Sequence, residues 1–390
     1  MRIVHIITRL ILGGAQENTL LTCEDLRRQY GDQVLLITGP PEGPEGSLVE
    51  RARAGGVPML ILPSLCRPIH PWRDGVIYLA LRRIIRRFRP DVVHTHSAKA
   101  GLLGRAVAWQ LRVPAVVHTV HGAPFHPYQS GLARWFFRAC ERWAARRCHR
   151  LVCVAQALAD QLVASGVAPR EKCLTVYSGM EVEPFLEAAR FRAEYRARLG
   201  WPEDCIVVGK IARLFYLKGH EYLLAAAPKI LVHAPQVRFL LIGDGILRPK
   251  IEQQIRQAGL HDYFRLLGLV RPEEIPRWIA AMDILVHVSL REGLARALPQ
   301  ALLVGRPVVS FDIDGAREVV LPGKTGYLLP PKDSEALAEA VIRLAQNPEL
   351  RTQLAQEGRR RCVELFRHER MTAQLRALYE ELLQAPGPHG

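Results

Sequence analysis

The residue in this sequence best placed to do chemistry is a single acid in the second half. In "SLREGLARALPQALLVGRPVVS", residues 289–310, Glu292 sits in a short turn after the apolar run Ile284–Val288. Small and apolar residues open a helix directly behind it. Gln300 follows eight positions on, slightly over two helical turns, which predicts that the two side chains share one side. A carboxylate facing a helix N-terminus costs little to keep ionised. It can accept hydrogen bonds from two sugar hydroxyls.

Other polar residues also stand just behind apolar runs. In "GKIARLFYLKGH", Arg213 and Lys218 lie between a strand-like run and a helix, where two cations and a helix N-terminus suit a diphosphate. In "RLILGGAQENTL", Gly13 and Gly14 open a helix and permit close approach of backbone to phosphate or sugar. Their spacing is not GxGxxG, which argues against a dehydrogenase. "HTHSAKAG" and "HTVHGAPF" bring His94, His96, His118 and His121 as two close pairs. Three uses stay open for them: a metal site, core or capping imidazoles, and hydrogen bonding to a polar substrate. "FDIDG" carries Asp312 and Asp314 as a DxD. Acids in such a turn can chelate a divalent cation, but they more often close the loop on backbone N–H groups.

These residues need a scaffold that puts strand ends together. Strand-like and helix-like segments alternate from end to end. The strand-like runs are Ile3–Thr8, Val34–Thr38, Pro58–Leu62, Val92–Thr95, Ala115–Thr119 and Leu151–Val154, then Ile206–Ile211, Arg238–Gly243, Phe264–Leu266, Ile284–Val288, Pro307–Phe311 and Gly326–Leu328. Continuous apolar runs are the mark of strands buried on both faces of a parallel sheet. Two consecutive βα series predict an α/β protein of two doubly wound domains, joined near Met180–Arg190. In such sheets ligands bind beyond the carboxyl ends of the strands, where all the residues above fall. Asp333 to about Leu383 reads as helix throughout, and "APGPHG" as a frayed tail.

The chain has 390 residues, ordinary hydrophobic content for a globular protein and a net charge of +15. No apolar run approaches a membrane span. "MRIVHIITRLIL" is interrupted by Arg2, His5 and Arg9 and reads as a first buried strand rather than a signal peptide. The eight cysteines form no CxxC pair, which fits a reducing cytosol. Basic excess concentrates in two amphipathic stretches. In "IYLALRRIIRRFRP", Tyr78, Leu81, Ile85 and Phe88 make an apolar stripe among Arg82, Arg83, Arg86, Arg87 and Arg89. In "LARWFFRACERWAARRCHR", Trp135, Ala139 and Trp143 alternate with Arg134, Arg138, Arg142 and Arg146. Two readings stay open: solvated basic faces, or a surface for anionic lipid or an anionic acceptor. Nothing there matches a nucleic-acid-binding motif.

Nine pieces in order resemble the retaining nucleotide-sugar glycosyltransferases of family 4. They are "GGAQ", "HTHSAKAG", "HTVHG", "YSGMEVEPF", "GKIARLFYLKGHEYLLAA", "LIGDGILRPKIE", "LGLVRPEEIPRWIAAMDILVHVS", "SLREGLARALPQALLVGRPVV" and "GAREVVLPGKTGYLLPP". The resemblance covers about residues 1–370. It implies the GT-B fold, two Rossmann-like domains facing each other across a cleft: 1–185 on the acceptor side, 186–370 for the donor, then a C-terminal helix and tail at 371–390.

The resemblance also assigns roles. Gly13 and Gly14 approach the donor, and His121 the transferred sugar. Arg213 and Lys218 hold the diphosphate. Glu292 binds sugar hydroxyls, backbone N–H groups of Gly293, Leu294 and Ala295 meet sugar or phosphate, and Gln300 binds the ribose. His96 and Lys99 fall on the acceptor side. The family's second acid is replaced by Gln300, which offers one acceptor and two donors to the diol and costs about 1 kcal/mol of donor binding.

The expectation is transfer of a sugar from a UDP- or GDP-sugar to a carbohydrate or lipid-linked acceptor hydroxyl, with retention, and with no cofactor, no metal and no nucleic acid. The setting is cytoplasmic, with peripheral attachment at the inner face of the plasma membrane through the basic stretches. A nucleotide-sugar 2-epimerase on the same fold and a non-catalytic basic binding protein are the alternatives.

Overall fold

The computed structural model describes residues 1–385 apart from 42, 44 and 45. The tail at 386–390, expected to fray, lies outside the described residues. The chain forms two compact units, Met1–Met180 with Arg367–Gly390, and Glu181–Phe366.

The first unit holds seven strands: β1 (Arg2–Ile7), β2 (Gln33–Thr38), β3 (Met59–Ile61), β4 (Val92–His96), β5 (Ala115–Val120), β6 (Arg150–Cys153) and β7 (Cys173–Thr175). All pair in parallel, in the order β3-β2-β1-β4-β5-β6-β7. Its helices are α1 (Gly14–Arg28), α2 (Val49–Ala54), α3 (Pro71–Phe88), α4 (Ala98–Gln110), α5 (Gly131–Ala145) and α6 (Gln156–Ala164). The second unit carries α7 (Glu183–Leu186), α8 (Arg192–Ala197), α9 (His220–His233), α10 (Arg248–Gln257), α11 (Ile275–Ala281), α12 (Ala297–Val304), α13 (Ala316–Val319), α14 (Ser334–Gln346) and α15 (Pro348–Leu365). Its strands are β8 (Ile206–Ile211), β9 (Val237–Ile242), β10 (Phe264–Leu266), β11 (Ile284–His287), β12 (Val308–Phe311) and β13 (Gly326–Leu329), parallel in the order β10-β9-β8-β11-β12-β13. The apolar runs are buried as two-faced sheets require, with Ile3, Val34, Val92 and Val117 in one core and Val208, Phe239, Ile284 and Val309 in the other.

Both sheets reverse direction of growth once, between β1 and β4 and between β8 and β11. At such a reversal the loops behind the two central strands splay apart and leave a crevice. Gly13 stands behind β1, His96 ends β4, and Lys218 and Glu292 stand behind β8 and β11.

Three expectations need correction. The stretch from Asp333 is three helices, α14, α15 and α16 (His368–Gln384), broken by Asn347, which caps α15, and by Phe366. The last helix is not a separate segment. Met371, Leu375, Leu378 and Tyr379 are buried in the first unit's core, and α16 packs on α1. Met180 and Arg367 form a single parallel bridge where the chain leaves that unit and returns. The stretch from Glu292 to Gln300 is not one helix either, because α12 begins only at Ala297. Strand β7 was also missed; its three residues, Cys-Leu-Thr, carry too little apolar pattern to register.

Leu375→Ala should remove about 2–5 kcal/mol of stability, the usual range for a buried leucine. A denaturant midpoint within error of the parent would show that α16 is not part of that core.

Candidate active site

In the second unit, three loops meet behind the central strands. The loop after β8 turns at Leu217 and Gly219 with φ of 64° and 68°. A side chain at Gly219 would place its Cβ 1.7 Å from the Val288 carbonyl oxygen, so only glycine lets this loop close on the end of β11. The Leu290 N–H donates to the Leu217 carbonyl at 2.8 Å, joining the same two loops. The loop after β9 joins them as the Leu214 N–H donates to the Asp244 carbonyl at 2.9 Å.

This closure puts Lys218 Nζ 2.5 Å from Glu292 Oε1, and His287 Nε2 3.4 Å from the same oxygen. Burial by itself would raise the Glu292 carboxyl. Lys218 and then His287 outweigh it and hold the group far below the usual carboxylate range. The side chain remains 19% exposed, so the ionised oxygens can be reached. The Glu292 backbone N–H donates to Asp314 Oδ2 at 2.6 Å, and the Gly315 N–H to the Gly293 carbonyl at 3.2 Å. Asp312 turns instead to Arg317, through both carboxylate oxygens at 3.1 and 2.7 Å. The two acids of the DxD thus have separate partners, one of which fixes the turn that carries Glu292.

Arg213 is exposed, its guanidinium 5.1 Å from the centroid of the Phe215 ring. Leu294 and Ala295 are buried, Gly293 is half-buried, and Gln300 lies half-buried in the first turn of α12. The Gln300 backbone N–H donates to the Arg296 carbonyl at 3.1 Å, and its side chain has no hydrogen-bond partner among the described residues.

Sequence reasoning missed Lys210 and His287. Lys210 lies in β8, 1% exposed, and its Nζ has no hydrogen-bond partner among the described residues. Burial, and then repulsion from Lys218, push its ammonium down from 10.5 to about 7, against the pull of Glu292 and Glu221. An amine inside "VVGKIA" was the available signal, since charged groups are rarely buried without a reason.

In the first unit, His5 on β1 and His94 on β4 are direct neighbours in register. His5 Nδ1 lies 3.0 Å from His96 Nε2, and His96 Nδ1 lies 3.2 Å from His121 Nε2. His94 is held apart from this chain by Tyr379 Oη at 2.5 Å and Thr119 Oγ1 at 2.7 Å, and His118 by Thr95 Oγ1 at 2.9 Å. Burial pushes His5 down to about 3 and His94, His96 and His118 well below their ordinary value, so these four are neutral at pH 7.

A neutral imidazole has one donor and one acceptor. His5 Nε2 is buried without a partner. A lone pair left unmet there costs less than an N–H left unmet. That places the His5 proton on Nδ1, donating to His96, which donates in turn to His121. The chain ends with the His121 proton on Nδ1, a donor. The ligand atoms of His5, His94 and His96 lie within 4.8 Å of one another, but these bonds already use both nitrogens of His94. Lys99 pairs with Asp74 at 2.6 Å and also bonds the Pro68 carbonyl. Gly13 and Gly14 start α1 behind β1, with Gly13 extended at φ 174°.

Two family models match the chain: "Glycosyl transferase 4-like domain" over residues 13–179 and "Glycosyl transferases group 1" over residues 191–361. Together they span most of it. The chain belongs to the GT-B glycosyltransferases of the family 4 type and is a glycosyl-transferring enzyme. It is 26% identical over 98% of its length to an Escherichia coli enzyme, UDP-Gal:alpha-D-GlcNAc-diphosphoundecaprenol alpha-1,3-galactosyltransferase, covering 97% of that protein. It is 29% identical to a Mycobacterium tuberculosis GDP-mannose-dependent alpha-mannosyltransferase, over 85% of this chain and 84% of that one. Anabaena HepE, solved with UDP and glucose, shares its fold at a TM-score of 0.81 and 21% identity, over 97% of this chain and 99% of that one.

Lys210 yields a stability test. Its folded pKa is lowered, so between about pH 7 and 10 the unfolded chain binds more protons and stability should rise with pH. Lys210→Met should flatten that rise and be more stable than the parent at pH 7. Identical pH profiles would mean that the amine is not buried unpartnered.

Proposed function

We propose that the second unit binds a nucleoside-diphosphate sugar and that the enzyme transfers the sugar to an acceptor hydroxyl with retention. The observation that carries this reading is the ionised Glu292, fixed at the sheet reversal beside Lys218, with Arg213 in the same loop system. A carboxylate there suits the hydroxyls of the sugar. Lys218 and Arg213 suit the diphosphate, whose charge grows as the glycosidic bond breaks. Gln300 is assigned to the ribose, the N–H groups of Gly293–Ala295 to the sugar or phosphate, and Gly13 and Gly14 to donor contact. His121, with its tautomer set through His96, donates to the transferred sugar or its partner.

In the proposed step the bond from the anomeric carbon to the diphosphate oxygen breaks and its electron pair goes to that oxygen. The acceptor oxygen bonds the anomeric carbon on the same face, and its proton passes to the departing phosphate. The residues named supply the positive charge without a divalent cation. Lys99, ion-paired with Asp74, serves the acceptor side by holding α4 to α3 rather than as a free cation.

The names of the relatives support UDP- and GDP-sugars as the donors to try; the acceptor proposed is a lipid-linked or glycan hydroxyl, met at the inner membrane face. The E. coli relative is named for UDP-Gal and a diphosphoundecaprenol-linked sugar, the M. tuberculosis one for GDP-mannose.

A thermal-shift screen of nucleotide sugars identifies the donor, since a ligand that binds only the folded state raises its stability. Kinetics with that donor, in excess EDTA, then test the residues. Lys218→Ala and Arg213→Ala should each lower kcat/KM at least tenfold, about 1.4 kcal/mol. Glu292→Gln should lose ten- to a hundredfold, the worth of hydrogen bonds to a charged acceptor. Gln300→Leu should raise the donor KM, and Asp312→Asn should lose less than any of these. Unchanged kinetics in the Lys218 and Glu292 variants, or turnover abolished by EDTA and restored by manganese, would overturn the assignment. Conversion of the donor without any acceptor would identify an isomerase.

A further inference from the structure

Two helices of the first unit wear apolar stripes on the wrong side. On α3 the inward residues are Ile77, Leu81 and Ile85. Trp72, Val76 and Leu79 stand on the opposite side and are exposed, Trp72 at 80%. Arg83, Arg86 and Arg87 continue that exposed side toward the C-terminus of the helix. On α5 only Glu141, Ala144 and Ala145 are buried. Leu132, Trp135, Phe136 and Trp143, at i, i+3, i+4 and i+11, all face outward, Leu132 at 76% and Trp135 at 59%. Arg134 and Arg146 are exposed beside them. The tryptophan stripe therefore does not pack on the sheet, and on α3 the face that does is Ile77, Leu81 and Ile85, with Tyr78 and Phe88 only half-buried.

The charge on these helices is one-sided by construction. Each contains a single carboxylate, and each carboxylate is spent inward. Asp74 on α3 pairs with Lys99 of α4 at 2.6 Å, and Glu141 on α5 pairs with the buried Arg105 of α4 at 3.0 Å. Helix α4 packs against both α3 and α5. The two ion pairs fix the flanking helices on α4 and leave no acid on their outer faces. What remains outside is aromatic and aliphatic side chains among arginines, the composition of a helix lying in a bilayer interface. Ile69 and Tyr128, in the loops entering α3 and α5, are also exposed. Apart from Trp143, the exposed apolar residues gather toward the N-terminal ends of these helices, the side of the sheet on which His96 ends β4 and His121 follows β5.

We propose that this surface of the first unit docks on an anionic membrane, with the apolar side chains of α3 and α5 entering the interface and the arginines meeting lipid phosphates. Charge decides between the candidate occupants. A second copy of the chain would set one arginine face against the same face, because a two-fold interface is self-complementary. An anionic bilayer complements it. No helix among the described residues is long and apolar enough to cross a membrane, so attachment is interfacial. Docking there holds the strand ends carrying His96 and His121 at the height of lipid headgroups, where a lipid-linked hydroxyl is presented. The docking itself does not depend on the donor assignment.

The test is co-sedimentation of the full chain with vesicles of phosphatidylcholine alone and of phosphatidylcholine with phosphatidylglycerol, at low and high salt. Binding is expected to the anionic vesicles, weakening with salt. Tryptophan fluorescence should be quenched by brominated acyl chains. The triple variant Arg83→Ala, Arg86→Ala, Arg87→Ala should weaken partitioning on the order of a hundredfold. The pair Leu132→Ser, Trp135→Ala should abolish the quenching. All five positions are exposed, and an unchanged unfolding midpoint confirms that the variants fold. No binding to anionic vesicles, equal binding to neutral ones, or a dimer in sedimentation that the same substitutions dissociate in place of vesicle binding would each overturn the proposal.

Discussion

The candidate site of the second unit depends on one contact, the pairing of Lys218 with Glu292. A carboxylate as enclosed as Glu292 would ordinarily take up a proton, and a lysine beside it would ordinarily point to water. Held 2.5 Å from it, Lys218 keeps the Glu292 carboxylate ionised. The backbone is built to enforce that distance. Gly219 lets the loop after β8 close on Val288, Leu290 bonds Leu217, and Asp314 takes the Glu292 N–H. The outcome is a site that carries negative and positive charge side by side before any ligand arrives, the preorganisation that electrostatic catalysis requires.

Beneath that pair lies a group of opposite character. Lys210 is buried with no partner and has its ammonium pushed to about 7. It costs stability near neutral pH, and the fold tolerates it at the strand beneath the cation loop. Strain of this kind is commonly found where function needs it. The first unit solves its own burial problem differently. His5, His94, His96 and His118 are buried neutral on hydrogen bonds, and one run, His5 to His96 to His121, leads to the loop after β5. Each unit therefore buries polar residues in and just after its two central strands.

Much of this was legible in the sequence because parallel strands advertise themselves. Buried on both faces, they are unbroken apolar runs, and twelve of the strands stand where such runs occur. Residues singled out at the ends of those runs do stand at the carboxyl ends of the central strands, and two of them, Lys218 and Glu292, are brought into contact. The reason given for pairing Glu292 with Gln300 was wrong in its geometry, since the chain between them is turn and then helix. What stayed hidden was polar residues inside the runs. Lys210 and His5 read as interruptions of an apolar pattern, and only pairing across strands shows what lies beside them. The α5 stripe was visible as a stripe, but periodicity defines a face without saying which way it points. Its direction goes with Arg105 of α4, which draws Glu141 inward, as Lys99 draws Asp74 of α3, and those partners are distant in sequence.

The account's central claim is that this charge constellation is a diphosphate site, and calorimetric titration with UDP and with GDP tests it most directly. At pH 8 the Lys210 amine is mostly neutral, and an anionic diphosphate beside Lys218 favours its protonated form. Titrations in two buffers of different ionisation enthalpy should therefore reveal net proton uptake with at least one of the two nucleotides, reduced in Lys210→Met. Binding of neither nucleotide, or binding with no proton uptake in the parent chain, would contradict the account.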